Sequence, residues 1–246
     1  DTIYLDAGML RTRPSLARGT LAHEFQHLVH FGADPDEQTW VNEGLSGHAE
    51  ALAGFPETDT SMVPAFLSTP DWDLTVWPSP ATASAYGATY LFVSYLAQGF
   101  GADAIRALVG EPRNGIEGID ATLAARGQAG GFAAVWADWI LANYAGPDPW
   151  LGYAALGERR IKSYPAPPLP CAAVEGRVGS RWGTVAMVLR PAAGGPAGIS
   201  VELTGAPDGR LRVWGYAMRG ADGEAIPVDL GPDQSGRLTV DSVDSL

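Results

Sequence analysis

The chain has 246 residues, 46% of them hydrophobic and 18% charged, which is enough apolar material for one good core or two smaller ones. That composition excludes a mostly disordered chain, and the lack of a G-X-Y period or heptad run excludes collagen and coiled coil. Sixteen basic against 28 acidic side chains leave a net charge of −12, so the chain is not expected to hold the phosphate backbone of a nucleic acid.

Residues 2–6, Thr-Ile-Tyr-Leu-Asp, read as a short strand, followed by a loop carrying Arg11, Arg13 and Pro14. Ser15 is the expected N-cap of a helix reaching about Phe31, with positions 21, 25, 28 and 31 turned inward or toward a metal, and Gly32 ends it. The apolar pair Leu21-Ala22 implies a helix buried on both sides. Residues 33–37 form an acidic loop. A second helix is expected from Thr39 to Ala53, stopped by Gly54 and Pro56. Residues 57–83 are irregular, broken by Pro64, Pro70, Pro78 and Pro80, with one short helix near 61–68.

Tyr86, Tyr90, Val93 and Leu96 then mark an amphipathic helix from Ser84 to Gln98. Three more helices are expected over 102–109, 116–126 and 131–144, with Trp136 and Trp139 in the core. Tyr164 to Pro170 reads as a stiff proline-rich linker. Beyond it come short apolar runs at Val185–Leu189, Ile199–Leu203, Leu211–Tyr216, Ile226–Leu230 and Leu238–Val240, as in an antiparallel sandwich or barrel. The expected organisation is a helical domain over 1–163, a linker over 164–170 and a β module over 171–246.

Cys171 is the single cysteine, so no intrachain disulfide forms, and no apolar run approaches the roughly 20 residues of a membrane span. The start at Asp1, without methionine or signal peptide, reads as a processed or trimmed form.

All four histidines, His23, His27, His30 and His48, fall in one short stretch. His23-Glu24-Phe25-Gln26-His27 is an H-E-x-x-H pattern on the first long helix. Residues i and i+4 share a helix face, so two imidazoles there can reach one zinc ion at about 2.0–2.1 Å. Glu24, one residue round from His23, can take a proton from the attacking water. A catalytic zinc needs a third protein ligand. The metzincin position, six residues on, is Ala33. Glu43 opens the second helix and shares a face with Ser46 and Glu50, giving a His₂Glu set. His30, seven positions after His23, reads as a core or ligand-supporting histidine. His48 reads as a surface or helix-packing residue. Asp34, Asp36 and Glu37 match no calcium loop and read as a solvated acidic loop. Trp72 and Trp77 either wall a cleft or pin their loop.

H-E-x-x-H followed by Asn42-Glu43-Gly44-Leu45-Ser46 resembles the gluzincin metallopeptidases, the superfamily of thermolysin and the zinc aminopeptidases. The fuller stretches His23–Phe31 and Trp40–Glu50, with Tyr86-Gly87-Ala88-Thr89-Tyr90-Leu91-Phe92, are most similar to hyicolysin-type bacterial secreted peptidases. The resemblance covers about residues 3–145 and does not extend into the β module. It implies a zincin-like α+β fold with a leading strand, Zn²⁺ held by His23, His27 and Glu43, and Glu24 as general base. It also implies a protein or peptide substrate and an extracellular location.

The chain departs from this pattern at two places. Thermolysin carries an aspartate four residues after its glutamate ligand, where this chain has Gly47, so Glu50 is the candidate supporting carboxylate. Members also carry a substantial sheet ahead of the first helix, here reduced to residues 2–6. The strand therefore pairs with the β module or is completed by an upstream segment or chain. Tyr86-Gly87 resembles the catalytic tyrosine motif of the zinc aminopeptidases and nominates Tyr86 as oxyanion donor. Against this stands the reading that Tyr86 and Tyr90, at i and i+4, are core aromatics. The other functional class consistent with these residues is a catalytically silent zinc-binding scaffold or adhesion protein.

Overall fold

The structure, a computed structural model, describes residues 2–55, 61–146, 152–166, 181–190, 197–205, 211–219 and 222–243. It mixes helix and strand, as an α+β chain should, in two compact units. One is Asp1–Lys162 with Val178–Thr184; the other is Ser163–Arg177 with Val185–Leu246. Cys171, Pro56 and the Leu-Pro end of the expected linker lie outside the described residues.

The first unit is helical: α1 (Ala7–Thr12), α2 (Pro14–Ala33), α3 (Thr39–Leu52), α4 (Met62–Ser68), α5 (Ala83–Phe100), α6 (Ala102–Val109), α7 (Ile116–Ala124) and α8 (Gly131–Ala145). The leading strand does not form. Ile3 and Leu5 are half-buried between exposed Thr2, Tyr4 and Asp6, so the segment is extended and alternating, yet no ladder partner exists for it among the described residues. Asp6 instead accepts the backbone N–H groups of Gly8 and Met9 and caps α1, which replaces the expected loop through Arg11. α2 also begins earlier than expected. Pro14 occupies its first turn, where a missing N–H costs nothing, so Ser15 lies inside the helix and not at its cap. It continues through Gly32 to Ala33.

The inward face of α2 differs from expectation as well. Leu21, Phe25, Val29 and Phe31 are 42%, 60%, 48% and 58% exposed. The stripe at 21, 25 and 31 therefore faces outward, and α2 is not buried on both sides. Ala17, Gly19 and His30 are its buried positions.

α5 is the central helix of this unit. Ala85, Ala88, Leu91, Phe92, Val93 and Leu96 are all buried, covering more of its circumference than an amphipathic stripe would. Phe92 lies at the middle of an aromatic cluster, with Trp40, Phe132 and Trp139 at centroid distances of 6.2, 5.5 and 5.4 Å. Phe66 of α4 stacks on Trp139 at 5.5 Å. α3 crosses α5 at Gly44, where a Cβ would lie 2.8 Å from the Thr89 carbonyl oxygen and 2.7 Å from a Val93 methyl. Only glycine allows that approach.

The second unit contains β1 (Ser163–Pro165), β2 (Ala186–Val188), β3 (Ala197–Thr204), β4 (Val213–Arg219), β5 (Asp222–Val228) and β6 (Ser235–Val243). β1 pairs in parallel with β2, so the start of the expected linker is strand. β3 pairs antiparallel with β6 and β4 with β5. Alternate residues Ile199, Ala217, Val228, Leu238 and Val240 form one buried apolar cluster, as period-2 patterning requires.

Candidate metal centre

α2 sets His23 and His27 one turn apart on one face, their rings edge-to-face at 4.7 Å and 78°. α3 packs against this face and brings Glu43 to both rings. Glu43 Oε2 lies 3.1 Å from His23 Nε2 and 3.7 Å from His27 Nε2. A tetrahedral ion with bonds of 2.0–2.1 Å separates its ligand atoms by about 3.4 Å, and the two observed distances bracket that spacing. The three ligand atoms lie within 4.8 Å of one another, so the group could hold a metal ion.

The remaining nitrogens are already engaged. His23 Nδ1 donates to Glu50 Oε1 at 2.6 Å, and His27 Nδ1 donates to Asn42 Oδ1 at 2.8 Å. Ser46 Oγ stands 3.0 Å from His27 Nδ1 while its own hydroxyl donates to Gln26 Oε1. Hydrogen bonds from Nδ1 to a carboxylate or an amide orient both rings with Nε2 toward Glu43; in the metal-free protein His23 Nε2 carries a proton donated to Glu43 Oε2, which a bound cation would displace.

The electrostatics match. Burial opposes a charged His23, but the carboxylates of Glu43 and Glu50 outweigh it and raise the ring to about 9. Without a cation, a proton stands between the two carboxylates. Glu24 is half-buried on α2. Tyr86, half-buried at the start of α5, is raised by burial and by the charges of Glu43 and Glu24, so its phenol stays protonated at neutral pH. Trp77 packs edge-on against Tyr86 at 4.9 Å, while Tyr90 lies against Gly47, where a Cβ would be 3.3 Å from the tyrosine side chain. The two tyrosines therefore have different surroundings. At Gly47 that tyrosine fills the space, and Glu50, one turn further, is the carboxylate on His23.

His48 is half-buried and meets Ser94 Oγ at 3.3 Å, packing α3 on α5. His30 is fully buried. Asp34 is also buried, at 4% exposure, so this part of the acidic loop is not solvated as its composition suggested. Sequence reasoning gave no role to Asn42 or Gln26. Asn42 was visible inside the N-E-G stretch, but its contact depends on how α3 crosses α2. No family model matches the chain, and no curated protein matches it.

Proposed function

We propose that the chain is a zinc-dependent metallopeptidase of gluzincin type, acting on a protein or peptide. The observation that carries this reading is the pair of Nε2–Glu43 spacings of 3.1 and 3.7 Å, with both Nδ1 atoms held by side-chain oxygens. His23, His27 and Glu43 would hold zinc. When bound, the ion supplies Lewis acidity and brings the pKa of water to about 7.

The chain's own groups do the rest. Glu24 takes the proton of the attacking water and returns it to the leaving amine. Tyr86 Oη–H donates to the oxygen on which negative charge develops. Glu50 and Asn42 keep the two imidazoles oriented. His23 and Glu43 are each 15% exposed and His27 is 26% exposed, so the group has the partial solvent contact a peptide substrate needs.

Finer parts of the reading are also proposals. The helical unit is assigned a zincin-like fold, and the β unit a small antiparallel sandwich built around its shared apolar cluster. An extracellular bacterial setting rests on the resemblance to secreted peptidases alone. No described helix is long and apolar enough to cross a membrane.

Glu24→Gln tests the mechanism. Casein hydrolysis should fall by roughly 10²-fold or more with zinc content unchanged, because the amide keeps its shape but cannot accept the proton. A wild-type chain that binds zinc and cleaves neither casein nor a peptide library would instead be the silent scaffold.

A further inference from the structure

α2 does not end its metal-type chemistry at His27. One turn on, His30 is fully buried and Asp34, four residues later at the helix C-cap, is 4% exposed. Neither ring nitrogen of His30 makes a well-formed hydrogen bond, although Asn42 lies close enough to favour its proton, and the buried atoms Asp34 Oδ2 and Glu37 Oε2 make none. Buried polar atoms are paired in the large majority of cases, so this concentration of unpaired donors and acceptors is unusual. One ligand atom from each of His30, Asp34 and Glu37 lies within 4.8 Å of the other two.

The surrounding chain holds this arrangement open. Glu37 Oε1 accepts the backbone N–H of Gln38 at 2.5 Å and of Gly115 at 2.7 Å, which fixes the carboxylate and leaves Oε2 directed elsewhere. Gly115, at φ +61°, is the N-cap of α7 and has no room for a side chain against Gln38. Asn114 Nδ2 donates to the Asp36 carbonyl at 2.7 Å, tying the acidic loop to the same turn.

We propose that His30, Asp34 and Glu37 form a second divalent-metal site that ties the end of α2 to the loop before α3. One imidazole with two carboxylates suits zinc or another first-row divalent ion, since calcium and magnesium prefer all-oxygen shells. Two carboxylates balance the ion's charge, which lets the set stay buried. A closed set of this kind is structural, in contrast to the half-open group one turn earlier. The proposal does not depend on the peptidase reading.

The test is metal content of the full chain, stripped with chelator, loaded with zinc chloride, dialysed and measured by plasma mass spectrometry. Wild type should hold two equivalents. Glu43→Ala and Glu37→Gln should each hold one, and the double variant none. Glu37→Gln keeps an Oε1 acceptor for Gly115 and Gln38, so the fold should survive, and circular dichroism in chelator checks this. Asp34→Asn is the independent second variant, also expected to hold one. In Glu43→Ala, zinc should raise the melting temperature, and in the double variant it should not. The proposal is overturned if wild type holds one equivalent that Glu43→Ala abolishes, or if folded Glu37→Gln and Asp34→Asn both keep two.

Discussion

Two consecutive stretches of α2 carry histidines with opposite surroundings. At His23 and His27 each Nδ1 is engaged by a side-chain oxygen, each Nε2 is presented to Glu43, and the group keeps partial solvent contact. At His30 the ring is sealed from solvent and neither nitrogen makes a well-formed hydrogen bond. The first arrangement is organised in advance and partly exposed. The second is closed and unsatisfied, as suits a site that serves the fold. The difference arises from what α3 and its preceding loop supply: Glu43 and Glu50 reach His23, Asn42 lies near both His27 and His30, and the loop brings Asp34 and Glu37, the latter held by the Gly115 N–H, to the His30 end.

The comparison is broken most severely at the open site. Tyr86→Phe removes the assigned oxyanion donor and should lower kcat by about 10²–10³-fold with metal content and melting temperature unchanged. Tyr90→Phe, whose ring lies against Gly47, should change kcat little. Equal small effects in steady-state assays of the two variants would make both tyrosines packing residues.

Glu50→Gln acts through His23 and should weaken zinc at the first site by roughly 10–100-fold, the range typical of partners behind a metal ligand. The second equivalent, held by His30, Asp34 and Glu37, should be unaffected. Competition titration against a chromogenic chelator reads both, and equal weakening at the two sites would remove the distinction between them.

Gly44→Ala forces a methyl against the Thr89 carbonyl and Val93, where overpacking costs about 1–3 kcal/mol. Because Glu43 is the preceding residue, zinc affinity at the open site should fall along with the urea midpoint. A stability loss with unchanged affinity would show that the α3–α5 crossing does not position Glu43.

The smallest effect concerns pH in the metal-free chain. His23 is raised to about 9 in the fold against about 6.5 unfolded, so its stabilisation is complete below pH 6.5 and is lost as pH rises through 9. Urea midpoints of chelator-treated protein should decline over that window. Glu50→Gln should flatten the decline, since it removes one of the two carboxylates that hold the proton. A wild-type midpoint flat across the window would mean that the ring is neutral without metal.

The order of helices α2 to α8 in the first unit, the strand runs of the second, and the placement of His23 and His27 on one face were legible in the residues. Each depends on a local period, 3.6 for a helix and 2 for a strand, that a few neighbours determine. Glu43 was legible too, because its helix begins within one loop of the histidines. The strand at residues 2–6 was misread for the converse reason. Its alternation is real, but a strand exists only through a partner, and Asp6 directs the chain into a helix instead. The outward turn of Phe25, the hold of Asn42 on His27, and the gathering of His30, Asp34 and Glu37 at the end of α2 were decided by tertiary structure. Burial and pairing are properties of distant segments brought together, and a local period specifies which residues share a face without specifying what that face meets.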